Sequence, residues 1–190
     1  QARARLGIAD ERVALGNVAI FEERKGHGLL IEAMARLARQ RPPEKMPLLL
    51  IEGDGPGRDR LAVAADERDV SAFIRFVGRE TQIYNLLGAC DGLVETSTGG
   101  SPSPNIVSEA MGLGMAVLGS VYSSTEQISS GKDGLLFDPR DSDAFAAALG
   151  RLTDDAELRS RLGAEARQTF ERMFSASQAA SRYAVLYEAL

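Results

Sequence analysis

The stretch "SPSPNIVSEAMGLG" (101–114) sets one carboxylate, Glu109, in an otherwise apolar helical segment behind two prolines and a glycine pair. Ser103 suits an N-cap and Pro104 the first helical position, so the spacing predicts a helix from Pro104 onward. A helix N-terminus offers unpaired backbone N–H groups and the positive end of the macrodipole, which together favour a phosphate. Gly99 and Gly100, lacking a Cβ, let the backbone approach a ligand closely. Ile106, Val107, Ala110 and Met111 share the face to be buried. Glu109 falls at its border, about one and a half turns in, on the side of Asn105. There a carboxylate can accept hydrogen bonds from both hydroxyls of a ribose diol. Spacing alone equally allows it to pair with a nearby cation. Lys25, in "FEERKG" (21–26), ends the first apolar run and could neutralise a diphosphate held against that helix. Charge clusters of this kind are most often simply solvated.

Other motifs carry less chemistry. "GDGPGR" (53–58) resembles a G-x-G-x-x-G fingerprint, but Pro56 and Gly57 break the spacing, and it follows the second apolar run, not the first. It reads as a tight turn before a helix. No G-x-x-x-x-G-K-[ST] phosphate loop occurs. His27 is the only histidine and Cys90 the only cysteine, so they cannot build a zinc cluster. His27 is expected to be an exposed residue at a helix start. In "DSD" (141–143) Asp141 or Ser142 is expected to cap a helix, and no metal is assigned.

These residues must be positioned by alternating elements. Apolar runs at 13–21, 47–53, 72–78, 91–97, 115–120 and 134–138 alternate with amphipathic segments at 27–40 and 57–70, around Ile83, Leu86 and Leu87, and from Pro104. Four of the runs are continuously apolar, as parallel strands covered on both faces require. The pattern predicts an α/β fold: a doubly wound, Rossmann-like parallel sheet of about six strands. Three further helices are expected at 141–152, 154–171 and 175–190. In such sheets ligands bind beyond the carboxyl ends of the strands, where Lys25 and the turn at 96–104 both fall.

The 190 residues suit one domain with a short appendage, and an apolar fraction of 44% allows a sizeable core. A net charge of −5 argues against a general nucleic-acid binder. The lone cysteine forms no internal disulfide, which fits a reducing compartment. No apolar run reaches the roughly 20 residues of a membrane helix, and "QARARLGIAD" has no apolar signal region. The sequence begins without Met and in mid-pattern, as a fragment of a longer chain would.

In order along the chain, "LGNVAIFEERKGHGLLIEAMARL", "LLLIEGDGPGRDRL", "IRFVGRE", "SPSPNIVSEAMGLGMAVLGS" and "GKDGLLFDPRDSDAFAAAL" resemble the C-terminal, donor-binding domain of family 4 retaining glycosyltransferases of the GT-B fold. The resemblance implies that Lys25 contacts the diphosphate of a nucleoside-diphosphate sugar, that Glu109 holds its ribose, and that backbone around Gly78 and Arg79 meets the base. It implies a donor domain at 13–174, a linker remnant at 1–12, and a helix at 175–190 that crosses back to an absent N-terminal acceptor domain. No cofactor is implied, and the fragment is expected to be inactive alone. The protein is expected to be cytoplasmic, any membrane association belonging to the missing half.

Three positions depart from the family. Ser101 stands where the first signature glutamate is expected, Ile20 where an arginine is expected, and Tyr122–Ser123 where a glycine pair is usual. Arg24 is the candidate to replace the lost charge. A nucleotide-binding module without transfer activity and a GT-B-like sugar-nucleotide epimerase are the alternative readings.

Overall fold

The computed structural model describes residues 2–78, 83–99 and 103–188. The elements are α1 (Ala2–Arg5), β1 (Ala14–Val18), α2 (His27–Ala38), β2 (Leu48–Glu52), α3 (Arg58–Asp66), β3 (Ile74–Gly78) and α4 (Ile83–Leu87). They continue as β4 (Gly92–Glu95), α5 (Asn105–Gly112), β5 (Ala116–Ser120), β6 (Leu135–Phe137), α6 (Ser142–Asp154), α7 (Ala156–Met173) and α8 (Ala176–Glu188). The strands form one six-stranded sheet in the order β3-β2-β1-β4-β5-β6, and every neighbouring pair is parallel. The expected α/β class and C-terminal helices are therefore present. The chain winds outward from β1 to β3, returns to β4 beside β1 and winds the other way. That reversal leaves a crevice at the carboxyl ends of β1 and β4, where an open parallel sheet takes its ligand.

Alternation along each strand feeds a core on both faces, because successive side chains point to opposite sides. Leu49, Ile51, Val94 and Leu118 pack with Leu30, Met34 and Phe145 under α2 and α6. Leu93 and Val117 pack with Val107, Met111 and Ala166 under α5 and α7. All of β2, β4 and β5 is buried, which is why those runs read as continuously apolar. Ahead of β1, Arg3 ties α1 to the sheet by donating to the Ala89 carbonyl (3.2 Å) and to Asp91 (3.1 Å).

α8 is different. None of its residues is buried, and Tyr183, Leu186 and Tyr187 are 62%, 57% and 70% exposed. Leu190, at the end of the helix expected over 175–190, lies outside the described residues. No helix among the described residues is long and apolar enough to cross a membrane.

Candidate functional site

Two loops meet at the crevice, and hydrogen bonds to backbone carbonyls clamp them together. After β1 the chain makes a short 3-10 turn at Glu23–Lys25 and reaches Gly26 in the left-handed region, at φ 70°. The Thr96 hydroxyl donates to the Lys25 carbonyl (2.6 Å), and the Thr98 N–H donates to the Arg24 carbonyl (2.8 Å). A Cβ on Gly26 would lie 2.1 Å from the Thr96 carbonyl oxygen, so this closeness requires glycine on two counts. The clamp half-buries Lys25 and holds its Nζ at 3.5 Å from the Ser97 hydroxyl, against the turn that leads into α5.

The turn after β4 is fixed from its other side by Glu95. This buried carboxylate ends β4 and accepts from the Ser97 N–H (2.9 Å), the Ser124 hydroxyl (3.2 Å) and the Ser123 hydroxyl. Three donors satisfy a group that would be costly to bury unpaired. The loops after β4 and β5 are joined again where the Ser103 N–H donates to the Ser123 carbonyl (2.9 Å) and the Ser103 hydroxyl to Glu126 (3.0 Å).

Those bonds change how the helix starts. Ser103 was expected to cap it and Pro104 to be its first helical residue; α5 instead begins at Asn105, with Pro104 extended as N-cap. Ser103 has φ 57° and spends its hydroxyl on Glu126, so it cannot fold back over the helix. The start of α5 consequently has no side-chain cap. Glu109, half-buried, opens into a hollow of about 330 Å³ shared with Tyr84, Asn105, Ser108 and Phe170. Among the described residues its carboxylate has no hydrogen-bond or ion-pair partner, so the alternative of a simple structural ion pair finds no support there. Val107, Ala110 and Met111 are buried as expected, while Ile106 is half-buried against the same cluster.

The remaining expected residues are distributed around this frame. Gly78 ends β3 at φ 75°, and its carbonyl accepts from Gly53 (3.3 Å). Gly99 is half-buried in the turn after β4. Arg79, Gly100 and Ser101 lie outside the described residues. Arg24 donates to Glu22 at 2.7 Å, which engages the guanidinium proposed to replace a missing charge. Ile20, at the end of β1, is 45% exposed.

A different arginine reaches the crevice. Arg140, beyond β6, stacks at 4.2 Å over Tyr122 and donates to the Thr98 carbonyl at 3.4 Å. The Tyr122 hydroxyl in turn donates to Asp138 (2.9 Å), which raises the phenol above its ordinary pKa. Lys25 and Arg140 therefore reach consecutive residues, 97 and 98. Nothing near Arg140 in the sequence marks it, because the contact spans 42 positions. Glu95 did leave a signal: a lone acidic residue closing an apolar run at the sheet's functional edge.

His27 departs most from expectation. It is 2% exposed, not a surface residue, because Phe21 covers it edge-on at 5.2 Å. The "GDGPG" turn packs against Phe21 in its turn, Gly55 and Gly57 fitting over its backbone where side chains would collide. That turn is a packing device, as the broken spacing implied. Burial pushes the imidazole pKa down to about 4, helped by the Lys25 charge and opposed by the Ala19 carbonyl. At the other end of the chain, Asp141 caps α6 by accepting from Ala144 (3.0 Å).

Comparison with known proteins places this frame. The family described as "Glycosyl transferases group 1" matches residues 1–169. The chain is 31% identical over 188 residues to the lipopolysaccharide core biosynthesis glycosyltransferase LpsD of Rhizobium meliloti (strain 1021), covering 98% of this chain and 52% of LpsD. It is 34% identical over 175 residues to LpsE of the same organism, covering 91% and 49%. Among solved structures, Anabaena Alr3699/HepE in complex with UDP superposes with a TM-score of 0.89 at 24% identity, covering 99% of this chain and 51% of that one. The chain belongs to the glycosyl transferases group 1 family. It spans about half the length of the curated relatives it matches, as a C-terminal domain of a GT-B enzyme does.

Proposed function

We propose that this chain is the donor-binding half of a retaining, metal-independent glycosyltransferase. One observation carries the reading: the clamp between the β1 and β4 loops sets Lys25 beside the turn into α5, a helix that starts uncapped and carries Glu109, which has no partner among the described residues. In this reading the α5 amides and Lys25 hold the diphosphate, Glu109 the ribose, and the backbone at Gly78 and Arg79 the base. Arg140 adds a second positive charge beside the turn. When the bond between the sugar and the diphosphate breaks, its electron pair leaves on a phosphate oxygen. Cations and amides already aimed at that position lower the barrier without reorganising. No side chain of the chain is assigned as a nucleophile; retention comes from family membership. Gly99, Gly100 and Ser101 would line the sugar side.

The acceptor would be bound by an N-terminal domain outside this chain. The half-length match to the curated relatives and the unpacked apolar residues of α8 support that arrangement. The HepE structure holds UDP, which makes UDP the first nucleotide to test. A second reading, a nucleotide-binding module without transfer, is favoured by Ile20, which leaves an exposed apolar side chain beside the crevice.

Calorimetric titration with UDP, GDP and ADP, repeated on Glu109→Ala and Lys25→Ala, tests the site. Selective binding of one nucleotide, weakened by both substitutions, is expected. If neither substitution weakens binding, the assignment fails. Transfer by the complete enzyme separates the two readings.

A further inference from the structure

β1 treats its two neighbours differently. It is in register with β2 along its whole length, from Ala14–Leu48 to Val18–Glu52. Its register with β4 stops after Leu15–Gly92 and Gly16–Leu93, although both strands run on towards the crevice. Past β1 the chain still follows β2, the Ala19 N–H donating to the Glu52 carbonyl at 3.0 Å. The paired part of the β1–β4 ladder therefore ends short of the crevice that these two strands flank.

Asn17 bridges that gap with its side chain. It is 2% exposed and lies on the same face of β1 as Leu15. A buried backbone carbonyl beyond the end of a ladder needs a donor. The Asn17 Nδ2 supplies one, donating to the Val94 carbonyl at 2.8 Å and, at a longer 3.4 Å, to the Thr96 hydroxyl oxygen. A hydroxyl accepts and donates at once, so Thr96 passes the constraint on to the Lys25 carbonyl at 2.6 Å. The relay runs from a central strand to the residue whose Nζ stands beside the turn into α5.

Stability does not account for an asparagine at this position. Ile51 lies opposite it in β2, and Leu15 shares its face. Its Oδ1 is buried without a hydrogen-bond partner among the described residues. An unpaired buried acceptor costs free energy that an apolar side chain would not. Sequences break such local rules mainly where function requires it. What the amide achieves here is reach: it spans the opened strands and holds their ends at one spacing.

We infer that Asn17 is a positioning residue for donor binding: through Thr96 it fixes the spacing of the loops after β1 and β4, and with it the place of Lys25. Buried as it is, it touches no ligand itself. The inference rests on the donor-binding reading of Lys25.

Two measurements on the 190-residue chain test it. The first is amide hydrogen exchange. Asn17→Leu is expected to speed exchange of the Thr98 N–H, which donates to the Arg24 carbonyl across the clamp, by about tenfold. The Ala19 N–H, on the β2 side, is expected to keep its rate. The urea midpoint is expected to hold, because one unpaired buried oxygen is exchanged for another. The second is calorimetric titration with UDP. Asn17→Leu is expected to weaken binding about fivefold alone and not at all when combined with Lys25→Ala, since a residue acting through Lys25 loses its effect once that side chain is gone. Thr96→Val breaks the relay one link further on and is expected to give the same two results, which serves where Asn17→Leu fails to fold. An unchanged Thr98 rate, or equal losses of UDP affinity with and without the Lys25 side chain, would overturn the inference. A parent chain that binds no UDP would overturn the donor reading and the part of Lys25 in it, while the exchange result would still decide for or against Asn17 as the residue that spaces the loops.

Discussion

The helices of this domain begin in two ways. α6 and α7, far along the chain, each take an aspartate as N-cap: Asp141 accepts from Ala144 at 3.0 Å and Asp155 from Leu158 at 2.7 Å. α2 and α5, which start at the crevice, have Gly26 and Pro104 in that position and no side-chain cap. A cap satisfies one of the orphan amides of the first turn and contributes about 1 kcal/mol. At α6 and α7 the protein uses those amides for its own stability. At α2 and α5 it leaves them free and holds the helix starts in place by loop clamps instead. α3 also starts uncapped, at Gly57, so an uncapped start does not by itself mark a ligand; under the proposed function the start of α5 is the one that holds the donor.

The largest effect is expected where the clamp is tightest. Gly26→Ala puts a Cβ 2.1 Å from the Thr96 carbonyl in a left-handed conformation and should cost about 3 kcal/mol or more, or prevent folding. Urea unfolding measures it, and an unchanged midpoint would show that the loops after β1 and β4 are not coupled. Glu95→Ala leaves the Ser97 amide and the Ser123 and Ser124 hydroxyls unpaired in a buried site. A loss of about 2–3 kcal/mol is expected by the same measurement.

Acid should act through His27. Its folded pKa is about 4 against 6.5 unfolded, so between those values the unfolded chain binds more protons and stability falls as pH falls. The loss is about 3 kcal/mol, complete near pH 4, and absent above pH 6.5. Unfolding curves across that range should be flatter for His27→Phe than for the parent by this amount.

Smaller and opposite in kind are the effects that sharpen the contrast between helices. Lys25→Ala and Glu109→Ala should each weaken UDP by about tenfold while leaving stability nearly unchanged. Asp155→Ala should do the reverse, costing about 1 kcal/mol of stability with no change in UDP affinity. A cap mutant that weakened UDP as much as Lys25→Ala would erase the distinction.

How much of this was legible in the sequence follows the range of each interaction. The apolar runs at 47–53 and 115–120 and the amphipathic segment at 27–40 are local signals, and they located β2, β5 and α2 to within a few residues. Lys25 lies in a short motif after an apolar run, and that local signal placed it where the structure has it, beside the Ser97 hydroxyl at the carboxyl edge of the sheet. Where a contact is set by distant chain, local signals misled. Ser103 looked like a cap until the Glu126 carboxylate and the Ser123 carbonyl drew it away. His27 looked exposed because nothing in its neighbourhood shows that the turn at 53–57 presses Phe21 over it. Arg140 reaches Thr98 only because β6 lies two strands from β4 in the sheet.

The most direct measurement is an amide map of UDP binding on the ¹⁵N-labelled chain. The account predicts the largest shifts at Lys25, Asn105 and Ile106, with the capped starts of α6 and α7, at Ala144 and Leu158, unmoved. Shifts centred on Ala144 or Leu158, or a saturating titration that leaves Asn105 and Ile106 in place, would contradict it.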